Sequence, residues 1–218
     1  MAFVNELVNY LVGLTMKITT IKQQVKNPER VSVFVDGRYE FSLSLDELLQ
    51  QKLKNGYELD KADIRRLKKI SVDGKLRIRA MEWLLNRPHS TREFRNYLYR
   101  KKAEPELIET FIKDFSSRGY LDDRNFGVWF IELQKRRAKS DRALRVELFK
   151  KGLSRELVDE LLSAEPDDEA ERLKLMIEKK AKLLRYRNDP QKLAKYLTSQ
   201  GFNWQLVKQQ LADKEPED

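Results

Sequence analysis

The sequence predicts a mainly α-helical protein made of tandem three-helix repeats, preceded by a small N-terminal region with a β-hairpin and helices. Three observations support this prediction. An apolar pattern recurs three times at spacings of 49 to 50 residues. From Lys75 onward the apolar residues follow a helical period almost throughout. Residues 17–43 instead contain alternating β-branched residues around a tight-turn signal.

Six positions define each copy of the repeat. A capping-type residue comes first, apolar residues follow at +4 and +8, the pattern breaks near +12, and a new apolar run starts at +13 and +18. The copies are Ser90, Phe94, Leu98, Lys102, Ala103 and Ile108; Ser140, Leu144, Leu148, Gly152, Leu153 and Val158; and Asp189, Leu193, Leu197, Gly201, Phe202 and Val207. Such repeats bury their apolar faces against one another and offer a long surface, which favours a binding function.

The N-terminal region begins with strands. Lys17–Val25 is rich in β-branched residues and Val31–Val35 alternates. Asp36–Gly37 is a strong tight-turn signal, and it predicts a hairpin that continues into a strand over Arg38–Leu43.

Two helices are predicted after the hairpin. Ser44-Leu-Asp-Glu47 matches a capping box, which opens a helix to about Lys54, where Asn55–Gly56 stops it. A second helix is expected from Asp60, whose carboxylate can cap it, to about Ile70. The segment Val72-Asp-Gly74 marks the predicted end of this α+β region.

Nine helices are predicted after residue 74, three in each repeat. Pro88, Pro105 and Gly119 lie where helices are expected to begin or end. The predicted helices are Leu76–Asn86, Thr91–Lys101 and Pro105–Ser117; Asp123–Arg137, Asp141–Lys150 and Arg155–Ser163; and Asp168–Leu184, Pro190–Ser199 and Trp204–Leu211.

These elements divide the chain into consecutive regions. Residues 1–16 are a candidate upstream extension, because Met16 can serve as the natural start as well as Met1. The α+β region covers 17–74, the repeats cover 75–121, 122–165 and 166–211, and residues 212–218 form an acidic tail that we expect to fray.

The composition limits the class of protein. None of the 218 residues is cysteine, which excludes disulfides and thiolate chemistry and predicts an intracellular, cytoplasmic protein. No apolar run reaches the roughly 18 to 20 residues needed to span a bilayer. No Lys or Arg precedes Lys17, so a secretory signal is not expected and no membrane association is predicted.

The positive charge is concentrated in the middle of the chain. The formal net charge is +9, from 44 basic and 35 acidic residues. Residues 75–151 carry 20 basic and 11 acidic residues, whereas the flanking segments have net charges of +2 and −2. A localised basic surface of this kind indicates a polyanion or an acidic protein as the partner.

The chain offers few candidate residues for catalysis. His89, the only histidine, stands beside Pro88 at a helix junction, which favours a surface or capping role. No glycine-rich phosphate loop follows a strand. Asp122 and Asp123 precede a helix, where carboxylates cap backbone N–H groups, so capping is favoured over a metal pair. The sequence therefore predicts no catalytic residue, cofactor or metal.

The aromatic residues are interpreted mainly as core. Phe126, Trp129 and Phe130 lie at helical spacing on the first helix of repeat two, a pattern more typical of core than of a base-stacking platform. Tyr99 and Trp204 fit the core stripes less well and are expected to be exposed.

Basic residues recur at the same repeat positions in repeats one and two. Arg92, Arg95, Arg100 and Lys101 align with Arg142, Arg145, Lys150 and Lys151, whereas repeat three has Gln191, Ala194, Ser199 and Gln200 there. At 100° per residue, Arg92 and Arg95 lie away from the Phe94–Leu98 stripe and are expected to face water. We call the following set the basic ladder and predict that it binds the partner: Arg87, Arg92, Arg95, Arg100, Lys101, Lys135, Arg136, Arg137, Lys139, Arg142, Arg145, Lys150 and Lys151. The competing interpretation is an ordinary solvated helix face.

Three segments together resemble the RecX family of bacterial recombination regulators. They are Glu93-Phe-Arg-Asn-Tyr-Leu98, Gly119-Tyr-Leu-Asp-Asp-Arg-Asn-Phe126 and Arg145-Val-Glu-Leu-Phe-Lys-Lys-Gly-Leu153. The second is similar to the family's Gly-Tyr-Leu-Asp-Asp-x-x-Phe signature, and the third to its Glu-Leu-x-x-Lys-Gly-Ile signature. The resemblance covers about residues 17–211. The chain departs from the family pattern at Lys139–Ser140, where many members have Gly, although Ser140 can still cap the helix.

The resemblance implies an elongated, curved array of three-helix repeats that binds the RecA nucleoprotein filament along its helical groove. Members of the family typically inhibit the ATPase, strand-exchange and coprotease activities of RecA, many bind single- or double-stranded DNA weakly, and none is catalytic. We therefore expect a monomeric, non-enzymatic RecA regulator. The alternative is a stand-alone DNA- or RNA-binding helical protein, because three-helix modules resemble helix-turn-helix units. A hydrolase or nuclease would need clustered acids, which the sequence does not suggest.

Overall fold

The computed structural model describes residues 15–164 and 169–212, which belong to two compact units divided between Trp83 and Leu84. The described residues are mostly helical, with four strands in the N-terminal unit, and the predicted fold class is confirmed. The expectations for the upstream extension before Thr15 and for the fraying of the tail after Ala212 lie outside the described residues.

The N-terminal unit contains an antiparallel sheet with the strand order β3-β2-β1-β4. Its strands are β1 (Met16–Gln24), β2 (Asn27–Val35), β3 (Arg38–Ser44) and β4 (Glu58–Leu59). Asp36 and Gly37 both have positive φ, at 48° and 78°, as a two-residue hairpin turn requires. Ile18, Val33 and Leu43 are fully buried and pack in one apolar core with residues of the following helices.

The predicted capping box is present at the start of helix α1 (Leu45–Gln50). The Ser44 N–H donates to Glu47 Oε2 at 2.7 Å, and the Glu47 N–H donates to Ser44 Oγ at 3.0 Å. The helix ends at Gln50 rather than near Lys54, because Lys52 adopts a left-handed conformation with φ of 51°.

Helix α2 (Lys61–Leu85) is continuous, so the predicted helix end near Ile70 is wrong, and Val72-Asp-Gly74 lies within the helix. Asp60 caps the helix as expected, since Oδ1 accepts from the Asp63 N–H at 2.7 Å. Gly74 lies within the helix against the Glu47 carboxylate, with which an added Cβ would collide. This glycine therefore permits a close approach between two helices and does not break one.

The second unit contains the remaining helices of the three repeats. They are α3 (Thr91–Arg100) and α4 (Pro105–Ser117); α5 (Asp123–Lys135), α6 (Asp141–Lys150) and α7 (Arg155–Ser163); and α8 (Glu169–Ala181), α9 (Leu184–Arg187), α10 (Pro190–Ser199) and α11 (Trp204–Ala212). The predicted first helix of repeat one, Leu76–Asn86, falls in the C-terminal part of α2. The apolar repeat positions at +4, +8 and +18 are all buried, as the recurring pattern predicts.

Repeat three differs from its prediction in the first helix. The expected helix over Asp168–Leu184 ends at Ala181, and a separate turn, α9, follows. This turn buries Tyr186 to 6% exposure, with its ring 5.3 Å from the ring of Tyr196. The break in the helix therefore adds an aromatic pair to the core of repeat three.

The aromatic residues lie where the sequence places them. Phe126 is fully buried and Phe130 is 7% exposed in the core of repeat two, with Trp129 packed against them. Tyr99 and Trp204 are 52% and 54% exposed. Both interpretations are confirmed.

Candidate partner-binding surface

Equivalent hydrogen bonds join the successive repeats. Ser90 caps α3 by accepting from the Glu93 N–H at 3.1 Å, and its hydroxyl donates to the carbonyl of Lys151 in repeat two at 2.7 Å. Ser140 caps α6 by accepting from the Ala143 N–H at 3.2 Å and donates to the carbonyl of Gln200 in repeat three at 2.8 Å. The end of the second helix in one repeat is thereby held against the start of the second helix in the repeat before it.

An acidic residue of the next repeat makes a second bond at each junction. The Thr91 N–H donates to Asp123 Oδ1 at 2.7 Å, and the Asp141 N–H donates to Glu169 Oε1 at 2.8 Å. These N–H groups belong to the first turns of α3 and α6, where helical backbone donors have no partner within the helix. The junctions between repeats therefore also complete the capping of both helices.

Glycine occupies the point of closest approach at each junction. Gly152 and Gly201 follow the ends of α6 and α10 with φ of 93° and 95°. A Cβ on Gly152 would lie 2.6 Å from Cβ of Arg92, and one on Gly201 would lie 2.6 Å from Ser140 Oγ. Lys102 occupies the same position at the end of α3 with φ of 60°. The two glycines therefore combine a left-handed conformation with a close contact.

Glu93 is the centre of a charged cluster at the first junction. Its carboxylate, 15% exposed, lies 3.0 Å from Arg87 Nη1, 2.6 Å from Lys151 Nζ and 3.2 Å from His89 Nδ1. Burial acts to raise the pKa of Glu93, but the hydrogen bonds from Lys151 and Arg87 and their charges outweigh it, so the pKa lies below its ordinary value of 4.5. The carboxylate is therefore ionised and links repeats one and two.

His89 is buried to 5% exposure beside Glu93, so the predicted surface position is wrong. This burial comes from the fold of the chain around the helix junction, which residues adjacent in sequence do not reveal. Asp122 has the predicted capping role, because Oδ1 accepts from the backbone N–H groups of Arg124 and Asn125 at 2.7 and 3.2 Å.

Part of the basic ladder is engaged in contacts within the molecule. Arg95 pairs with Glu109 and Arg145 pairs with Asp159, at matching positions in repeats one and two, and Lys139 pairs with Glu147. Arg95 is thus half-buried rather than fully exposed to water. The Arg87 guanidinium also lies 5.1 Å from the centre of the Trp129 ring, and Lys151 Nζ lies 5.9 Å from that of Phe130.

The other ladder residues form the accessible part of the surface. Arg92 and Arg142 are exposed at one pair of matching positions, and Arg100 and Lys150 at another. Lys101, Arg136 and Arg137 are also exposed, whereas Lys135 is half-buried. Arg92 Nη1 reaches the carbonyl of Phe149 at 3.5 Å, which brings the exposed cations of the two repeats together at the junction.

Exposed aromatic side chains accompany these cations. Tyr99 and Phe149 occupy the same repeat position, next to Arg100 and Lys150, and are 52% and 37% exposed. The sequence pattern indicated Tyr99 but not Phe149. The aligned repeat could have identified both, because neither position belongs to the buried stripe.

The described residues offer little for a metal site or a membrane-spanning segment. In residues 15–164 and 169–212, no cluster of three or more His, Cys, Asp or Glu side chains is arranged to hold a metal ion. Over the same ranges, no helix has both the length and the apolar character needed to cross a membrane. The junction contacts of Ser90, Ser140 and Glu93 were not expected from the sequence, since each depends on a residue about 60 positions away.

The fold and this surface define a helical-repeat protein with matched basic residues on adjacent repeats and an N-terminal antiparallel sheet. Residues 16–60 match the family model for the N-terminal domain of regulatory protein RecX. The regulatory protein RecX of Listeria monocytogenes serovar 1/2a is 32% identical over 200 residues, which cover 88% of this chain and 74% of that protein. The RecX of Bacillus pumilus is 30% identical over 201 residues, covering 90% and 76%.

A solved structure shows the same fold. A crystal structure of regulatory protein RecX superposes with a TM-score of 0.73 at 25% sequence identity, covering 91% of this chain and all of that one. The chain belongs to the RecX family of regulatory proteins.

Proposed function

We propose that this protein is a non-enzymatic regulator that binds the RecA–DNA filament along its helical groove and inhibits the ATPase, strand-exchange and coprotease activities of RecA. Its membership of the family supports a regulatory role. The observation that carries the proposal is the matched set of exposed cations Arg92, Arg100, Arg142 and Lys150 on two consecutive repeats. Such a spacing suits a partner whose acidic groups also repeat, as in a filament on DNA. This function belongs in the cytoplasm.

The test is a titration of RecA ATP hydrolysis on single-stranded DNA. A protein that binds along the filament affects many RecA subunits. The rate of ATP hydrolysis should therefore fall even when much less than one molecule of this protein is present per RecA subunit. The same titration without DNA is the control, because no filament on DNA is then present. Hydrolysis that is untouched at a molar excess of the protein would contradict the proposal.

A second candidate function is direct binding of nucleic acid, which the exposed Tyr99 and Phe149 favour. Aromatic side chains beside cations form the usual surface for single-stranded DNA or RNA, on which bases stack. If the protein binds nucleic acid directly, the logarithm of its association constant should fall steeply with the logarithm of the salt concentration, and RecA should not be needed. Replacing both aromatics with Ala should then weaken binding to a single strand more than binding to a duplex.

A further inference from the structure

Repeat three contains a groove among its helices. Its volume is about 570 Å³, and it lies among the helices α8 to α11. Its apolar walls come from Ile177, Tyr186, Leu193, Trp204 and Leu211. A groove of this size is in the range of sites that hold a few side chains or a small ligand.

Two residues that line the groove occupy positions where repeats one and two form an ion pair. In repeats one and two, the pairs Arg95–Glu109 and Arg145–Asp159 bridge the second and third helices. In each pair the two residues are 14 positions apart, and the aligned residues of repeat three are Ala194 and Lys208. Both line the groove. Ala194 forms part of the groove wall with a small side chain, and Lys208 places an ammonium group where the other repeats have a carboxylate.

The edge of the groove is positively charged. Arg187, Lys195 and Lys208 line it and are exposed, and no carboxylate of the described residues forms an ion pair with any of them. Residues 172–212 as a whole carry 10 basic and 2 acidic residues. The net charge of −2 for residues 152–218 therefore comes from acids outside this part of the repeat. Repeat three is basic at the groove, and the positive excess is not confined to the middle of the chain as the segment totals suggested.

Trp204 supplies an apolar surface at the same edge. It is 54% exposed and begins α11, at the repeat position that Pro105 and Arg155 occupy in the other repeats. Packing of the repeat therefore does not require an indole there. An exposed tryptophan beside a groove is a common anchor for a bound protein segment.

We propose that this groove binds an acidic peptide segment of a partner protein, anchored by one or two large apolar side chains. The cations at the edge match acidic side chains, and the unfilled space between Trp204 and Leu211 matches an apolar one. The groove shares no residue with the basic ladder, so this inference goes beyond the proposed function and can fail or succeed independently of RecA.

The test uses the full chain and a fluorescein-labelled peptide of twelve residues, made of Asp and Glu with two leucines four positions apart. Fluorescence anisotropy should show saturable binding. The double variant Ala194→Arg/Lys208→Glu restores the ion pair of repeat one and closes the groove, so affinity should fall at least about tenfold. Trp204→Ala should weaken binding several-fold through loss of the apolar contact.

Matched controls separate the groove from general charge effects. A peptide with serine in place of both leucines should bind much more weakly than the leucine peptide. The variant Lys26→Glu/Lys54→Glu, at exposed positions of the N-terminal unit, should bind the leucine peptide as the wild type does. Circular dichroism checks the fold of the double variant, and the single exposed change Lys208→Glu should reduce affinity if the double variant does not fold. The proposal is overturned if closing the groove leaves affinity unchanged, if the leucines make no difference, or if a twelve-nucleotide oligothymidine displaces the peptide and depends on the same residues.

Discussion

The hydroxyl groups of Ser90 and Ser140 each accept one hydrogen bond and donate another. A serine can do both, whereas the carboxylate of Asp189, at the same position in repeat three, can only accept. Asp189 accepts from the Lys192 N–H at 2.8 Å. Serine at the first two positions therefore matches the hydrogen bond that each hydroxyl donates to the next repeat.

Replacing Ser140 or Ser90 with Ala should lower the free energy of unfolding by about 2 kcal/mol, because the change removes a helix cap and leaves a carbonyl of the next repeat without its donor. Urea unfolding followed by circular dichroism measures the loss. Ser154 is the matched control, since it caps α7 at an exposed position through the Leu157 N–H. Its change to Ala should cost only about 1 kcal/mol. Equal losses at all three positions would contradict the contribution of the inter-repeat bonds.

At the scale of helices, the repeats meet at the ends of their second helices, and the residues there show which ends are covered. Gly152 and Gly201 follow helices whose ends contact the preceding repeat, and a side chain at either position would collide with it. Lys102 has the same left-handed conformation with a full side chain, and it is exposed. Gly119 also has positive φ, at 75°, but an added Cβ there would meet no atom within 4 Å. Close contact, in addition to backbone conformation, thus accounts for glycine at the two junctions.

The Glu93 cluster makes the first junction sensitive to acid. The pKa of Glu93 is lowered in the folded protein, so the ionised carboxylate stabilises the fold above its ordinary pKa of 4.5, and this contribution is lost as the pH falls through the folded value. Glu93→Gln should therefore be less stable than the wild type at neutral pH, and the difference should shrink below about pH 4.5. Unfolding free energies measured from neutral pH to about pH 3 give the comparison.

Glu109→Gln is the control for this experiment. The Glu109 side chain is 60% exposed in its pair with Arg95, whereas that of Glu93 is 15% exposed and has three cationic or histidine neighbours. Exposed pairs contribute little, so Glu109→Gln should change stability by less than about 1 kcal/mol at any pH. A stability difference for Glu93→Gln that does not depend on pH would contradict the role of its charge.

At the scale of the whole molecule, the position of the charge matters more than its total. The accessible ladder cations lie on repeats one and two, while a second basic area surrounds the groove of repeat three. The two areas differ in kind. The first combines matched cations with two exposed aromatics, and the second surrounds an apolar cavity, so we expect them to bind different partners or different parts of one partner.

Reversing the ladder charges with Arg92→Glu, Arg100→Glu, Arg142→Glu and Lys150→Glu should weaken binding to the RecA–DNA filament by at least about tenfold, because exposed ion pairs contribute up to about 1 kcal/mol each and reversal makes them repulsive. Arg95 and Arg145 are left unchanged, since they already pair with Glu109 and Asp159 within the repeats. Co-sedimentation with filaments measures the loss, and the helical circular dichroism signal should stay the same.

The control variant changes the net charge by the same amount elsewhere. Lys26, Lys54, Arg65 and Lys69 are exposed in the N-terminal unit, and their replacement with Glu should leave filament binding within a few-fold of the wild type. If both variants bind the filament equally weakly, the effect is a general electrostatic one. The ladder would then be interpreted as an ordinary solvated helix face.

Local patterns in the sequence were sufficient for most helix starts, for the helix caps and for the buried stripe of each repeat, but not for several helix ends. Apolar residues at +4, +8 and +18 must be buried wherever the repeat folds, and Ser44, Asp60, Ser140 and Asp122 cap helices through bonds to residues two or three positions away. These interactions depend on neighbours in the chain, which is why the sequence alone determines them, together with the division into strands and helical repeats.

Only the tertiary structure decided which charged residues are accessible and where a cavity remains. The burial of His89, the pairing of Arg95 and the groove beside Ala194 each depend on side chains that the fold brings from another helix or another repeat. Gly74 is a further example. In the sequence this glycine resembles a helix end, and only the position of the Glu47 carboxylate beside it explains why glycine occurs within the helix. Periodicity predicts which face of a helix is buried, but contacts between helices determine which polar residues on the other face are free to bind a partner.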